Sequence, residues 1–398
     1  MKKIVITSTI TVACMILVAF IIAKIAANND VTPHITVGFV YEGDESTPYS
    51  YNFIRVQRLI EAQYGNQVKV IVKSNTNDES IDSVLNELCD EGCDLIFTTS
   101  YGFGEGAKRA AESHPDIQFC QATCSNANED PVLPNYHNFM GEIYQGRYLA
   151  GLVAGLKLQE LISDGKIDPN NVKIGYVGAY PYAEVISGYT AFFLGIRQYV
   201  PTATMTVKYS YSWNNYAVEK EYAEELIEEG CVVISQHSDT IGPAVACEDA
   251  DVDHPVIHVG YNQSMIDFAP TTSLISCRIN WIPYMLGAVD AVLYGYNIES
   301  HVDAHIHGND ASAGFDKDWV QMVELNTSIC AKGTQEMMES VIEDFKKGKI
   351  EVFKGEYTGT NPYDPSDTID LRDGFTENET TSAPMFCYVL DDVITIEE

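Results

Sequence analysis

Positive charge is scarce in this sequence. Its 398 residues include 24 lysine and arginine residues against 57 aspartate and glutamate residues, so the formal net charge at pH 7 is -33. A surface that binds nucleic acid or anionic lipid needs clustered cations to neutralise phosphates. The composition therefore argues against nucleic acid as a partner and predicts a freely solvated body.

Catalytic motifs are also missing. The sequence has no Walker motif, no nucleophile elbow and no paired-carboxylate signature. His237, Ser238 and Asp239 are adjacent, but neighbouring side chains point in different directions and a catalytic triad is defined by its geometry. A nucleoside hydrolase would need a metal-binding carboxylate cluster, which no segment supplies. We therefore expect no enzymatic activity.

Two patterns could hold a cofactor or a metal, and each has a simpler explanation. Residues 102–107 read Gly-x-Gly-x-x-Ala between a strand and a helix, which could cradle a pyrophosphate. Glu105 would place a carboxylate inside that cradle, so a tight turn fits better. Asp303 lies among His301, His305 and His307, but their spacing implies no fourth zinc ligand. We expect a polar loop there, and neither cofactor nor metal.

Cysteine spacing matches no redox or zinc motif. Of the 10 cysteines, 9 follow the N-terminal segment, so at least one thiol of the body stays unpaired. Neither Cys89 and Cys93 nor Cys120 and Cys124 have the two-residue gap of Cys-x-x-Cys. Cysteines in apolar runs behave as small buried hydrophobes. We expect such core positions at Cys93, Cys120, Cys231, Cys277 and Cys387.

The N-terminal segment differs from the rest of the chain. Lys2 and Lys3 precede an apolar run that extends to Ala27, which is long enough to cross a bilayer. Residues 1–27 are therefore predicted to be a signal anchor. Thr-Val-Ala-Cys ending at Cys14 resembles a lipobox, so a lipidated Cys14 is the alternative. In both cases the body is tethered at the extracellular face of the cell membrane.

Strands and helices alternate through two similar series. Strands are predicted at residues 34–41, 68–73, 94–99, 117–122, 173–177, 204–211, 231–235, 256–260 and 273–281. Helices are predicted at residues 51–64, 80–91, 106–113, 144–158, 185–199, 216–229, 241–248 and 283–294. Residues 131–138, with two prolines, interrupt the pattern, and residues 351–398 are predicted to be rich in loops. The alternation indicates an α/β fold of two doubly wound parallel-sheet lobes joined by a hinge.

The lobes are predicted to be discontinuous in sequence. The first contains residues 34–138 and about 281–310, and the second contains residues 139–280 and about 311–398. Ligands of such sheets bind beyond the carboxyl ends of the strands. The strand at residues 231–235 ends in a run of polar side chains, Ser235 to Thr240, and is therefore expected to form one wall of an interlobe cleft.

Aromatic residues are plentiful at the predicted strand ends. The sequence contains 24 tyrosines, 15 phenylalanines and 3 tryptophans. Those near strand ends are Tyr49, Tyr51, Tyr101, Tyr180, Tyr182, Trp213, Tyr261 and Trp281. Aromatic rings in a cleft can stack on a planar ligand, while amide, imidazole and carboxylate groups address its edge. The pattern favours a planar heterocycle as ligand.

Four segments carry a resemblance to a known family. They are residues 143–151, residues 175–185, Ser212-Trp213, and residues 235–239 with their Gln-His-x-Asp. Together they resemble the basic membrane lipoprotein family of ABC-transporter solute receptors, which includes binders of purine bases and nucleosides. The likeness spans most of residues 35–285. It implies a type I periplasmic-binding-protein fold, a monomer, and ABC permease subunits as partners.

The resemblance also implies a set of ligand-binding residues. In the first lobe they are Tyr49, Ser50, Tyr51, Asn52, Ser100, Tyr101 and Gly102. In the second lobe they are Ala179, Tyr180, Trp213, His237, Asp239, Gly260 and Asn262. At two positions the sequence departs from the nucleoside binders of the family, and both affect how a ribose would be held. Asn262 stands where nucleoside binders have aspartate, and residues 276–281 contain no lysine where those proteins commonly have one. Whether the ligand is a purine base or a nucleoside therefore stays open. The alternative function is that of a membrane-tethered sensor without a transport role.

Overall fold

A computed structural model describes residues 34–397, which form the body of the protein. The predicted anchor at residues 1–27, with Cys14, lies outside the described residues. Within residues 34–397, no helix is long and apolar enough to cross a membrane.

The described strands and helices alternate along most of the chain. The strands are β1 Ile35–Val40, β2 Val68–Lys73, β3 Leu95–Thr98, β4 Gln118–Ala122, β5 Tyr136–Gly141, β6 Lys173–Gly178, β7 Thr204–Tyr209, β8 Cys231–His237, β9 Ile257–Tyr261, β10 Ser273–Ile279, β11 His305–His307, β12 Asp310–Ala313, β13 Val320–Met322, β14 Thr358–Asn361, β15 Asp364–Asp370, β16 Val389–Leu390 and β17 Ile394–Glu397. The helices are Pro48–Tyr64, Ile81–Asp90, Gly104–Ser113, Tyr144–Ser163, Ala183–Arg197, Tyr216–Glu228, Gly242–Asp249, Ile282–Tyr294, Ile298–His301 and Thr334–Lys346.

The strands form two large sheets and one small one. The first sheet has the order β11-β12-β5-β4-β3-β1-β2, the second has the order β13-β10-β9-β8-β6-β7-β17, and β15-β14-β16 form the third. Nearly all neighbours in the large sheets pair in parallel; β11 and β13 at the edges are antiparallel. Because helices connect the parallel strands, both faces of each large sheet are covered and the strands are apolar. The predicted α/β fold with two doubly wound lobes is confirmed.

The nine strands predicted from sequence are all present, with ends that differ by two residues or fewer. Strand β5 was missed, because the prolines before it suggested a break. Its residues Tyr136 and Phe139 are fully buried, and it pairs with β4 and β12. Strand β12 follows the residues predicted to return to the first lobe, and it pairs in parallel with β5 in the first sheet. The predicted lobe boundaries stay a prediction.

Close helix packing depends on two glycines. The helices Tyr144–Ser163 and Ala183–Arg197 touch so closely that a Cβ at Gly151 would lie 2.0 Å from the carbonyl oxygen of Phe192. A Cβ at Gly195 would lie 2.3 Å from the carbonyl oxygen of Tyr148. Any larger residue would therefore separate the helices. This contact fixes the helix that leaves the first sheet against the second lobe.

The C-terminal part of the chain bridges both lobes. Strand β17 adds to the edge of the second sheet beside β7. Glu377 accepts a hydrogen bond from Ser187 Oγ at 2.7 Å, in a helix of the second lobe. The backbone N–H of Ser382 donates to Asp310 Oδ2 at 2.9 Å, in the first sheet. The C-terminal part thus contains strands as well as loops, and residues 377–382 form a link between the lobes.

The cysteines of residues 34–397 all carry free thiols. Cys93, Cys120, Cys231 and Cys277 are buried, as predicted for core positions. Cys387 is only half-buried, which corrects its prediction, because the segment around it lies at the edge of the small sheet.

Candidate ligand-binding site

A narrow cavity lies between the carboxyl ends of the two large sheets. Its lining side chains come from the ends of strands, and from the loops and helix starts that follow them, in both lobes. They are Glu42, Tyr49, Ser100, Tyr101, Thr123, Glu184, Trp213, His237, Asp239 and Tyr261.

Sheet topology explains why these residues meet. In the first sheet the strand order reverses between β1 and β3, and in the second sheet it reverses between β6 and β8. The loops after such neighbouring strands separate to opposite faces and leave a crevice. Glu42 follows β1 and Ser100 follows β3, whereas Glu184 follows β6 and Asp239 follows β8. The cavity lies at both crevices at once.

The wall from the first lobe is held by hydrogen bonds within that lobe. The Tyr49 hydroxyl donates to the carbonyl of Thr99 at 2.5 Å, and Ser100 Oγ donates to Glu42 Oε2 at 2.8 Å. Thr123 has a φ of 65°, which is unusual for a β-branched residue and marks local strain at the cavity. Burial raises the pKa of Glu42, and the Ser100 hydrogen bond opposes that change.

The wall from the second lobe is a turn organised by a buried carboxylate. Glu219 is fully buried and accepts hydrogen bonds from Ser238 Oγ at 2.7 Å and Thr240 Oγ1 at 2.6 Å. It also accepts hydrogen bonds from the backbone N–H groups of Thr240 and Asn215. These bonds fix both sides of Asp239, whose own N–H donates to the carbonyl of Trp213 at 2.8 Å.

Asp239 sits in a crowded acidic environment. Burial raises the pKa of its carboxyl well above the ordinary value, and the carboxylates of Glu219, Glu42 and Glu184 raise it further. A hydrogen bond from Asn262 Nδ2 to Asp239 Oδ1, 3.0 Å long, opposes this change. The Asp239 carboxyl therefore ionises less readily than an exposed aspartate does.

His237 is neutral at physiological pH. Burial lowers its pKa to about 4, and the positive charge of Arg147 contributes. Its Nε2 lies 3.3 Å from Glu184 Oε1, while its Nδ1 is buried without a partner among residues 34–397. The Arg147 guanidinium lies 3.7 Å from the centre of the Tyr261 ring, so that ring stands between this cation and the cavity.

Aromatic rings from both lobes meet at the edge of the cavity. Tyr101 of the first lobe and Tyr182 of the second have ring centres 5.4 Å apart. Tyr180 stacks on Tyr182 at 5.1 Å and lies 5.5 Å from Trp213. Such ring separations are typical of aromatic pairs that stabilise each other. The cluster forms a covering layer in which Tyr101 and Trp213 face the cavity.

Part of the predicted site is brought together by the fold. Six of the predicted residues line the cavity: Tyr49, Ser100, Tyr101, Trp213, His237 and Asp239. Ser50 lines an adjoining recess that also contains Glu42, Trp213 and Asp239. Asn52 and Asn262 bond to each other behind Asp239. Tyr180 contacts Trp213 in the aromatic layer.

The other predicted residues do not line the cavity. Gly102 is too crowded for a side chain, since a Cβ there would lie 2.1 Å from Asp78 Oδ1. A Cβ at Gly260 would lie 2.4 Å from Ser276 Oγ. Ala179 is buried and its N–H donates to the carbonyl of His237, and Tyr51 is half-buried in the first helix. The two glycines and Ala179 therefore position the loops rather than present groups to the cavity.

Sequence reasoning missed three lining residues, Glu42, Thr123 and Glu184, and it named the fourth, Tyr261, only as an aromatic residue near a strand end. Glu42 and Thr123 follow predicted strands, so their place at a strand end was the available signal. Glu184 and Tyr261 lay within segments already singled out. Their side chains join the site because β6 and β9 end at the same edge as β8.

His305, in the histidine-rich segment, has two structural partners. His305 Nδ1 lies 2.7 Å from Glu142 Oε1, and its Nε2 lies 3.1 Å from Asp316 Oδ2. These carboxylates raise the pKa of His305 to about 9. No group of three or more potential metal ligands was found among residues 34–397.

Two curated relatives share part of the chain. A purine-binding protein of Brucella abortus is 28% identical over 265 residues, which cover 66% of this chain and 69% of that protein. A provisionally named ABC transporter glucose-binding protein of Haloferax volcanii is 34% identical over 207 residues, 52% of this chain and 46% of that protein. The chain thus spans about two thirds of one relative and less than half of the other.

Solved structures share the fold. An ABC-transporter solute-binding protein from Aeropyrum pernix has a TM-score of 0.64 at 14% identity, covering 83% of this chain and 95% of its own. A solute-binding protein from Conexibacter woesei has a TM-score of 0.61 at 16% identity, and the match covers 79% of this chain and 97% of that protein.

The family match covers most of the body of the protein. Residues 47–352 match the family described as Bmp, ABC transporter substrate-binding protein PnrA-like. This family consists of substrate-binding proteins rather than enzymes. The two lobes, the cavity between their strand ends and this match agree: the chain belongs to the Bmp family of ABC transporter substrate-binding proteins.

Proposed function

We propose that this protein binds a purine base or nucleoside between its two lobes and delivers it to an ABC permease. One observation carries the proposal: the cavity combines aromatic rings from both lobes with the carboxylates of Glu42, Glu184 and Asp239. Rings can stack on the flat faces of a purine, and carboxylates can accept from the N–H groups at its edge. The purine-binding relative supports the same ligand class.

Contacts across the cleft support binding by lobe closure. Asn52 of the first lobe bonds to Asn262 of the second, and Tyr101 meets Tyr182. A ligand held between such surfaces is enclosed when the lobes meet and is released when they separate. We place the protein at the extracellular face of the membrane, tethered through residues 1–27, where it meets the permease.

The polar groups favour recognition of the base over the ribose. Asn262, which stands where nucleoside binders carry aspartate, donates its side-chain amide to Asp239. That amide is therefore occupied by a protein group. A neutral Asn also lacks the charge-assisted hydrogen bonds by which a carboxylate holds hydroxyl groups.

Isothermal titration calorimetry tests the proposal with adenine, guanine, adenosine and inosine, and with glucose as the contrasting ligand. We expect saturable binding of at least one purine and no heat from glucose. Native mass spectrometry of the purified protein would show a retained ligand by its mass. Absence of binding to all four purines would refute the proposal, and binding of glucose alone would assign the site to sugars.

A further inference from the structure

We infer that the cavity selects purines that carry a 2-amino group beside the N1–H, as guanine and guanosine do, over those that lack it. The inference rests on the proposed purine binding and names the ligand class for the same cavity. Its basis is the balance of hydrogen-bond donors and acceptors that the lining residues leave free.

The acceptors are three carboxylates, each with one oxygen already engaged. Glu42 Oε2 accepts from Ser100, Asp239 Oδ1 accepts from Asn262, and Glu184 Oε1 faces His237 Nε2. Within residues 34–397, the hydrogen bonds of these carboxylates with protein groups in the cavity involve only that one oxygen of each. When a ligand fills the cavity and displaces water, the other oxygens lose their solvent donors unless the ligand supplies new ones.

Donors of the protein are mostly committed elsewhere. Among the lining residues, the hydroxyl groups of Tyr49, Ser100 and Thr123 donate to Thr99, Glu42 and Ala122. No lysine or arginine lines this cavity, and the nearby Arg147 is separated from it by the Tyr261 ring. The indole N–H of Trp213 and the hydroxyl groups of Tyr101 and Tyr261 remain as groups that could meet a ligand oxygen. The cavity therefore has three carboxylates and no cation among its lining residues, which favours a ligand that presents N–H donors.

Purines differ in how well they match such a cavity. Guanine places N1–H and a 2-amino N–H side by side and parallel, so both can reach the two oxygens of one ionised carboxylate. Hypoxanthine keeps the N1–H and lacks the amino group. Adenine places its amino group beside the acceptor N1, which an ionised carboxylate repels. A 2-amino-6-oxopurine thus offers a carboxylate one more N–H donor than hypoxanthine does, and it avoids the repulsion that adenine meets.

Calorimetric titrations with two matched pairs test the inference: guanine against hypoxanthine, and guanosine against inosine. The two members of each pair differ by the 2-amino group alone, so the ratio of their dissociation constants gives the contribution of that group to the affinity. We expect at least about tenfold tighter binding of the amino member in whichever pair binds, because hydrogen bonds to charged groups are the stronger ones. Equal or tighter binding of hypoxanthine and inosine overturns the inference while the proposed function stands.

Variants then identify the carboxylate that receives the amino group. Glu42→Gln, Glu184→Gln and Asp239→Asn each keep the side-chain shape and remove one charge, and the exposed Asp267→Asn serves as matched control. We expect one of the three variants to lower the ratio of dissociation constants within a matched pair to about threefold or less, while the control variant leaves this ratio unchanged. A ratio that survives all three overturns the inference. Failure of every purine to bind would instead refute the proposed function itself.

Discussion

The side-chain amide of Asn52 donates to the backbone carbonyl of Asn262 at 3.0 Å, so a helix of the first lobe is bonded to a turn of the second. Asn262 has a φ of 68°, a left-handed conformation that asparagine tolerates better than most residues, and its side chain extends to Asp239. One residue therefore connects the closure of the lobes to the position of the main cavity acceptor.

Asn52→Ala removes this bond across the cleft. We expect the purine affinity to fall about fivefold, since one hydrogen bond contributes about 1 kcal/mol to the closed state. Calorimetry measures the affinity, and small-angle scattering shows whether the ligand still reduces the radius of gyration. Gln63→Ala, an exposed position on the same helix, is the control. An unchanged affinity in Asn52→Ala would show that this bond does not stabilise the closed state.

Trp213 should report ligand binding by fluorescence. The sequence has 3 tryptophans, of which Trp281 and Trp319 are buried in the core while Trp213 lines the cavity. A purine that stacks on Trp213 should quench its emission, and Trp213→Phe should abolish the change in signal while calorimetry still detects binding. A full signal in Trp213→Phe would mean that the ligand acts on a core tryptophan through a conformational change.

Ligand affinity should depend on pH through the cavity carboxylates. Burial raises the pKa of both Glu42 and Asp239, so each ionises at higher pH than an exposed carboxyl. Ionised carboxylates accept the ligand's N–H groups, and the affinity for guanine should therefore increase as pH rises through the raised pKa values of these two groups. His237, with a pKa of about 4, stays neutral above about pH 5. Titrations at increasing pH should show a smaller increase in Asp239→Asn; an affinity that falls with rising pH would contradict the prediction.

Glu219→Ala should disrupt the turn that carries Asp239. The substitution leaves the hydroxyl groups of Ser238 and Thr240 and the N–H of Asn215 without their buried acceptor. We expect a loss of about 2–4 kcal/mol in the free energy of unfolding, measured by urea denaturation, together with weaker purine binding. Glu221→Ala, which is exposed on the same helix, should change neither quantity. Normal stability of Glu219→Ala would show that the turn does not need this carboxylate.

Asp310→Asn should alter the pH dependence of stability. Asp310 is fully buried, and burial raises its pKa from an ordinary 3.8 to about 6. The group therefore favours the folded state below about pH 4, and this contribution is lost as pH rises through about 6. Compared with the native protein, Asp310→Asn should gain up to about 3 kcal/mol between pH 4 and pH 7.5 in urea denaturation. The exposed Asp373→Asn should show no such gain; an equal gain there would exclude Asp310 as the cause.

The order of elements was accessible from sequence because it depends on local patterns. The apolar run before His237 and the helical spacing after Tyr216 are visible without knowing what they contact. Strand β5 was not predicted, because its apolar pattern is short and the prolines before it indicated a loop. The helix Thr334–Lys346 was not anticipated either, although its acidic and basic residues are arranged as in other surface helices.

Part of the binding site could be predicted from the sequence. Asp239, Trp213 and Tyr101 follow strands or precede helices, and parallel topology makes such positions candidates for a cleft. Glu42 and Thr123 occupy equivalent positions, yet nothing in the local sequence separates them from ordinary loop residues. Gly102 and Gly260 were placed in the site by the resemblance, whereas in the fold they provide space for neighbouring side chains.

The sequence by itself thus determines the acidic body, the two series of strands and helices, and the polar end of β8, because these features depend only on composition and on residues that are neighbours in the chain. Long-range packing accounts for the rest, because a cleft is made by residues far apart in sequence. The bond between Asn52 and Asn262 joins positions 210 residues apart, and the cavity carboxylates come from three separate segments of the chain. Burial raises the pKa of Glu42 and Asp239, and that burial depends on segments far apart in sequence packing together.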